Sequence, residues 1–299
     1  VDASGLVFGD EIPSAETEKR GLEQQEDQGL ERAPVQEEPR AAPSSKTPSS
    51  FPSLNQALSD LAAQVKTFAQ MSVGEKAALA RSLVPRLASV APEQVRIACI
   101  KKGIDASSPR VGEEWLGGPC VTVNSARLMA QALSDIAEKG RPSLARNAVR
   151  VRDGRVEVAL YPMNAQDGAM FRGFEAYALL DENADRHTAL EEQASFYRKP
   201  KPEDQEGGVS LVLGAGNVAS IPPTDVMHKL FADGKVVLLK MSPVNDYLTP
   251  SLEEAFAPLI ERGFLRIVQG GPEEGAYLCE HDLVSDIHIT GSAGTHERI

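Results

Sequence analysis

The sequence predicts an α/β fold: a parallel sheet covered on both faces, preceded by a helical region and a β-hairpin. Three observations carry this. Beyond Val209, apolar runs of strand length alternate with helix-length segments, as in a parallel sheet with right-handed crossovers. Val149–Leu160 alternates residue by residue about Asp153-Gly154, a two-residue hairpin turn. From Leu54 to Lys139, large apolar residues recur at helical spacing, the mark of amphipathic helices.

The elements follow in order. Residues 1–50 are rich in Glu, Gln, Pro, Ser and Ala and bury too little apolar surface to offset chain entropy; a disordered acidic tail is expected. Leu54, Leu58, Leu61, Val65 and Phe68 form the first helical stripe. Ser72 and Glu75 have capping-box spacing ahead of Leu79, Leu83 and Leu87, with a kink or break expected at Pro85. Pro92 can open a third helix through Val95, Ile97 and Ile100. Gly103–Pro119, which holds the single tryptophan, Trp115, reads as loop. Ser125–Lys139 reads as a fourth helix striped by Leu128, Met129, Ala132, Leu133 and Ile136. In the hairpin, Arg150 faces Glu157 across the strand pair. Phe171–Leu180 is a candidate strand, Thr188–Tyr197 reads as helical, and Lys199–Gly208 as a polar linker. Strands are then predicted at Val209–Leu213, Lys235–Met241, Phe264–Val268 and Val284–Thr290. Helices follow the first three, at Thr224–Phe231, Ser251–Arg262 and a short stretch ending near His281. Gly263 closes the second of these. The domains expected are therefore 1–50, a helical and hairpin region 51–207, and an α/β domain 208–299. The last strand leads into a helix start where the sequence reaches Ile299. A sheet lacking its last elements leaves apolar faces open, so the fold reads as C-terminally incomplete, and Val1 in place of Met leaves room for an upstream piece.

Composition narrows the partners. The net charge of −12 and pI near 5.0, without a basic stripe, argue against nucleic acid. No apolar run approaches the roughly 20 residues of a membrane helix, and no signal-peptide core follows a basic start. Cys99, Cys120 and Cys279 are few and far apart. They read as reduced thiols, small and buried, in a cytoplasmic protein, and no metal site is expected.

The chemistry is sought at the strand ends. Gly214-Ala215-Gly216-Asn217-Val218-Ala219 fits the Rossmann-like G-x-G-x-x-A pattern after a strand. An acidic residue should then end the second strand and hold ribose hydroxyls, but Lys240 stands there. Pro222-Pro223 also place the helix start late. A plain strand–turn–helix without ligand is the alternative.

Asn217 after one strand, Lys240 at the end of the next, Gly271-Pro272-Glu273-Glu274-Gly275, and Thr290-Gly291-Ser292 after a later strand stand in this order. Over 208–299 the set resembles the N-terminal part of the cofactor domain of the aldehyde dehydrogenase superfamily. The resemblance implies an NAD(P)-dependent oxidoreductase that takes a small aldehyde to a carboxylic acid, with a Rossmann-like dinucleotide-binding sheet, NAD or NADP as cofactor, and homo-oligomeric assembly in which the hairpin could be the arm. It also implies that the nucleophilic Cys and general-base Glu lie beyond Ile299, so that the fragment alone is inactive. The Asn217 amide would donate to the oxyanion formed on thiolate attack; as a turn residue it would instead tolerate a left-handed conformation. Lys240 would hydrogen-bond the adenosine ribose, with Ala215, Gly216 and Ser242 beside the cofactor. Gly271, Gly275, Gly291 and Ser292 would line its pyrophosphate and nicotinamide side. The chain departs from the family at Pro243, where many NAD-preferring members carry Glu, and at Ala215-Gly216, where Pro-Trp is usual. An acyl-CoA reductase of the same superfamily and a non-catalytic dinucleotide-binding or interaction protein remain open.

Overall fold

The computed structural model describes residues 51–144, 148–162, 165–170, 172–191, 193–198, 205–291, 293–297 and 299, all within the compact unit Lys46–Ile299. The expected acidic tail, linker residues 199–204 and Ser292 lie outside the described residues.

Pro52 suits the first position of α1 (Pro52–Ala62), where its missing N–H costs nothing. Leu54, Leu58 and Leu61 form its buried face. α2 (Val65–Ala69) inserts Phe68 against Phe264 and Phe231, with ring centroids 4.8 and 6.4 Å away. The capping box forms as expected: the Glu75 N–H donates to Ser72 Oγ and the Ser72 N–H to Glu75 Oε2. It opens α3 (Val73–Lys102), which runs unbroken through Pro85 and Pro92. The break at Pro85 and the new start at Pro92 therefore do not occur. Both prolines are exposed, as are Arg81 and Ala88, whose carbonyls lose their N–H partners and can be hydrated instead. On the opposite face Leu83, Leu87, Val90 and Val95 are buried and hold the axis; Ile100, expected inside, is 63% exposed.

The expected loop 103–119 is partly helical. It contains α4 (Val111–Trp115) and a π-helical turn, Leu116–Cys120, kinked at Gly118. α5 (Val121–Lys139) begins before Ser125 because the Thr122 hydroxyl donates back to the Gly118 carbonyl at 3.1 Å. Leu133 and Ile136 are buried as expected, while Leu128, Met129 and Ala132 are half-buried.

β1 (Val149–Arg152) and β2 (Arg155–Tyr161) form the hairpin. Asp153 and Gly154 turn it at φ 52° and 78°, as a type I′ turn requires. Arg150 Nε lies 2.7 Å from Glu157, and its guanidinium sits 3.9 Å from the centre of the Tyr177 ring. α6 (Ala165–Met170) precedes β3 (Ala176–Leu179), shorter than expected, which completes an antiparallel sheet of order β1-β2-β3. The helical stretch predicted at 188–197 is split into α7 (Arg186–Glu191) and a 3-10 turn, Ser195–Arg198.

The second sheet is parallel and has the order β6-β5-β4-β7. Its strands are β4 (Val209–Leu213), β5 (Val236–Lys240), β6 (Leu265–Val268) and β7 (Asp286–Ile289). α8 (Ile221–Phe231) follows β4 and carries Pro222-Pro223 in its first turn. α9 (Thr249–Ala255) and α10 (Ala257–Ile260) follow β5, with Phe256 interrupting what sequence periodicity reads as one helix. α11 (Pro272–Cys279) follows β6 and α12 (Ala293–His296) follows β7. After β6 the chain returns to the far side of β4, so strand order reverses there. In open α/β sheets such a switch point opens a crevice beyond the strand C-termini. One core takes Leu58, Leu83 and Leu133 together with Leu211, Val237 and Phe231. α1 lies against β4, β5 and β6, with Asp60 3.3 Å from Arg266.

Lys76 is fully buried within this core. Its Nζ donates to the Ala69 carbonyl at 3.1 Å and faces the rings of Phe68, Phe196 and Tyr197 at 4.6–5.3 Å. Burial holds its pKa down to about 8, against 10.5 in the unfolded chain. Between those values the unfolded chain binds more protons, so stability should rise with pH across that window, by about 3 kcal/mol. Burial raises the Tyr197 pKa, so above about pH 10 that hydroxyl works in the opposite direction. Urea midpoints from pH 7 to 10 should rise in wild type relative to Lys76→Met. Parallel curves would show that Lys76 keeps its proton in the fold.

Candidate functional site

The four parallel strands end together at a cleft of about 640 Å³. Leu213 to Gly216 wall it after β4, and Lys240 to Pro243 at the end of β5. α11 contributes Gly271, Gly275, Ala276 and Cys279, and β7 contributes Ile289, Thr290 and Gly291. Of the residues singled out from sequence, Ala215, Gly216, Lys240, Ser242, Gly271, Gly275 and Gly291 thus border one space. Ser292 lies outside the described residues.

The loops after β4 and β5 are held close together. The Gly214 N–H donates to the Lys240 carbonyl at 2.9 Å. Asn245 Nδ2 donates to the Ala215 carbonyl at 3.2 Å, and Asn245 is 1% exposed. Sequence reading passed over Asn245. Its signal was an Asn in the turn after Ser242-Pro243, where a short amide reaches backbone easily. A Cβ on Gly216 would lie 2.8 Å from Ser242 Oγ and 3.1 Å from Val244 Cβ, so only glycine fits this approach unstrained.

Asn217 follows at once but is exposed and is not among the residues lining the cleft. Among the described residues only Asp153 and Ala194 are non-glycine residues with positive φ, so the left-handed turn considered for Asn217 is not formed. Beyond it the loop rests on the π-helical turn: the Ser220 N–H donates to the Gly117 carbonyl at 3.2 Å.

Lys240 supplies the charge. It is 8% exposed, yet its ammonium makes no hydrogen bond or ion pair among the described residues. Burial lowers its pKa, while Glu274 and the Cys279 thiol oppose the shift. A Cβ on Gly275 would stand 4.0 Å from Lys240 Nζ, so glycine leaves the space in front of the ammonium free. The Glu274 carboxylate accepts the Gly271 N–H at 2.8 Å. At the end of α11, burial raises the pKa of the Cys279 thiol, Glu280 adds to this and Lys240 partly offsets it. Cys99 is buried and Cys120 exposed. Across the cleft the Thr290 hydroxyl donates to Asp225 at 3.0 Å, tying the β7 end to α8. Among the described residues no group of three His, Cys, Asp or Glu could hold a metal ion. None of their helices is long and apolar enough to cross a membrane.

No family model matches the chain. It is similar to 4-trimethylaminobutyraldehyde dehydrogenase A of Danio rerio, 29% identical over 93 residues, which is 31% of this chain and 18% of that protein. The 4-trimethylaminobutyraldehyde dehydrogenase of Oryzias latipes is 28% identical over 117 residues, 39% of this chain and 22% of that protein. The chain spans about a fifth of the length of the curated relatives it matches. Among solved structures, an aldehyde dehydrogenase of Bartonella henselae aligns at 12% identity and TM-score 0.49, covering 82% of this chain and 40% of that one. A glyceraldehyde-3-phosphate dehydrogenase of Methanocaldococcus jannaschii complexed with NADP aligns at 14% identity and TM-score 0.49, covering 82% and 42%. The resemblance to the aldehyde dehydrogenase superfamily is thus shared by motifs and relatives.

Gly216 gives a direct check of the loop packing. Gly216→Ala should destabilise the fold by about 1–2 kcal/mol, the range for forcing a methyl into packed surroundings. Urea denaturation measures this. Wild-type stability in Gly216→Ala would mean the two loops have room to part.

Proposed function

We propose that the cleft holds the adenosine side of a nicotinamide dinucleotide and that the chain serves an aldehyde dehydrogenase-type oxidation. The resemblance to aldehyde dehydrogenases is the premise. The observation that carries the reading is Lys240, 8% exposed, whose ammonium makes no hydrogen bond or ion pair among the described residues, feels the Glu274 carboxylate only through space, and faces the cleft across Gly275. A buried charge left unpaired is costly, and a phosphate or ribose oxygen would supply its missing hydrogen bond. The size of the cleft, its glycine walls and the one cation among its described lining residues all fit such a ligand. The bound nicotinamide would accept hydride from the substrate carbon.

The chain's own residues divide the rest. Lys240 would bind the ribose end, and Ser242 offers a hydroxyl beside it. Gly271, Gly275 and Gly291 would let the backbone approach the pyrophosphate side, with Ser292 next in sequence. Asn217, exposed on the loop after β4, would present its amide to the oxyanion of an attacked aldehyde, a preorganised donor for charge that develops only near the transition state. None of the three cysteines suits the nucleophile: Cys99 is buried, burial raises the pKa of Cys279, and Cys120 is exposed on the π-helical turn and does not line the cleft. Residues 1–299 would therefore bind cofactor without turning over aldehyde. Turnover by this chain, lost on replacing one cysteine, would overturn that part.

Pro243 puts no carboxylate three residues past Lys240 to repel a 2′-phosphate, which Lys240 can meet as a point charge. Relief of one such contact at a partly exposed site is worth about 1 kcal/mol, roughly fivefold in affinity. Titration should show NADP bound at least as tightly as NAD, with Lys240→Ala weakening NADP more. NAD bound more than tenfold tighter, or an equal loss of both, would refute the preference. In a protein that turns over aldehyde, Asn217→Ala should lower kcat on the order of 100-fold with little change in cofactor affinity. Unchanged kcat, with chemistry rate-limiting, would remove Asn217 from the mechanism.

A further inference from the structure

α11 forms one wall of the cleft with a face of small residues, Gly275 and Ala276, opposite the Lys240 ammonium. Gly275 and Ala276 have little side chain with which to grip the cleft floor, and Cys279 and Glu280 border the cleft only at the helix end, so contacts on the far side of α11 help to set its position. Behind it stands Tyr277, 8% exposed, whose hydroxyl donates to Asn55 Oδ1 on α1. The Tyr277 ring packs on Phe51 with centroids 4.9 Å apart. α1 itself is seated on the parallel sheet by its buried leucines and by the Asp60–Arg266 pair. The chain of contacts therefore runs from sheet to α1, to Tyr277, to the wall.

We infer that α1 is a positioning element of the cofactor cleft, acting through the Asn55–Tyr277 contact on the rotation and depth of α11. This rests on the cofactor reading above. Without the contact α11 is held by its end loops and by Leu278, and its glycine–alanine face drifts relative to Lys240. The ligand then meets a cleft that must be re-formed on binding. Asn55 and Tyr277 touch no ligand in this scheme; they reach it only through the helix between.

The test uses the whole 299-residue chain and NADP. Tyr277→Phe keeps the ring and removes the hydroxyl; Asn55→Ala removes the acceptor; Asn55→Asp keeps an acceptor oxygen. The first two should each raise the Kd for NADP about fivefold, the lower end of coupling between linked sites. The double variant should be no worse than either single one, since all three lack the same contact. Asn55→Asp should return to within twofold of wild type, a rescue that mere loss of packing would not show. Hydrogen exchange in the ligand-free protein should quicken at 272–279 in Tyr277→Phe and Asn55→Ala while 209–213 and 236–240 are unchanged. Wild-type affinity together with wild-type exchange in both variants would overturn the inference. A wild type that binds neither NADP nor NAD would instead overturn the cofactor reading, and the exchange at 272–279 would still decide whether the contact sets the wall.

Discussion

The fold depends on one constraint: β4 and β5 are buried along nearly their whole length, so both faces of the parallel sheet must be covered. Helices α8 to α11 come from the α/β stretch itself. The remaining cover comes from the preceding region, where α1 lies on three strands and α2 sends Phe68 between Phe264 and Phe231. That is why a single core crosses residue 207. Lateral cover leaves only the strand ends open, and the reversal of strand order at β4 places the cleft there.

Much of this was legible because the signals were local. Strand β4, the capping box at Ser72 and the Asp153-Gly154 turn each depend on residues a few positions apart, and each formed as read. Where partners are distant, the reading failed. Pro85 and Pro92 look like breakers in isolation, yet they face water on a helix held from its other side. Val111–Trp115 looks like loop because its two acidic residues carry no apolar period, although Glu114 meets Lys102 at 2.8 Å. Phe256 breaks a helix whose periodicity continues across it.

The site divides in the same way. The glycines and Lys240 stood out because strand ends and turn residues can be read locally, and the fold brings them to one cleft. Asn245 did not, because its value lies in reaching the Ala215 carbonyl, thirty positions back in the chain. Nothing near Tyr277 in the chain points to its role, because its hydroxyl donates to Asn55 on α1, 222 positions away. Among the described residues, the two buried lysines show why charge alone is a poor guide. Lys76 has a carbonyl and three aromatic faces and is part of the core; Lys240 has no such partner and faces open space.

The seat of α1 also bears on how the chain comes together. Asp60 and Arg266 are 206 residues apart, and Asn55 and Tyr277 are 222 apart. A ribosome adding roughly 5–20 residues per second exposes α1 for about 10–40 seconds before β6 and α11 exist. Until β4 and β5 emerge, late in that interval, the leucine face of α1 has no sheet to cover it. It must be shielded by α3 and α5, which emerge soon after, or by a chaperone. Contacts of such long sequence separation form late and slowly, so the back wall of the cleft is among the last parts of the protein to be built.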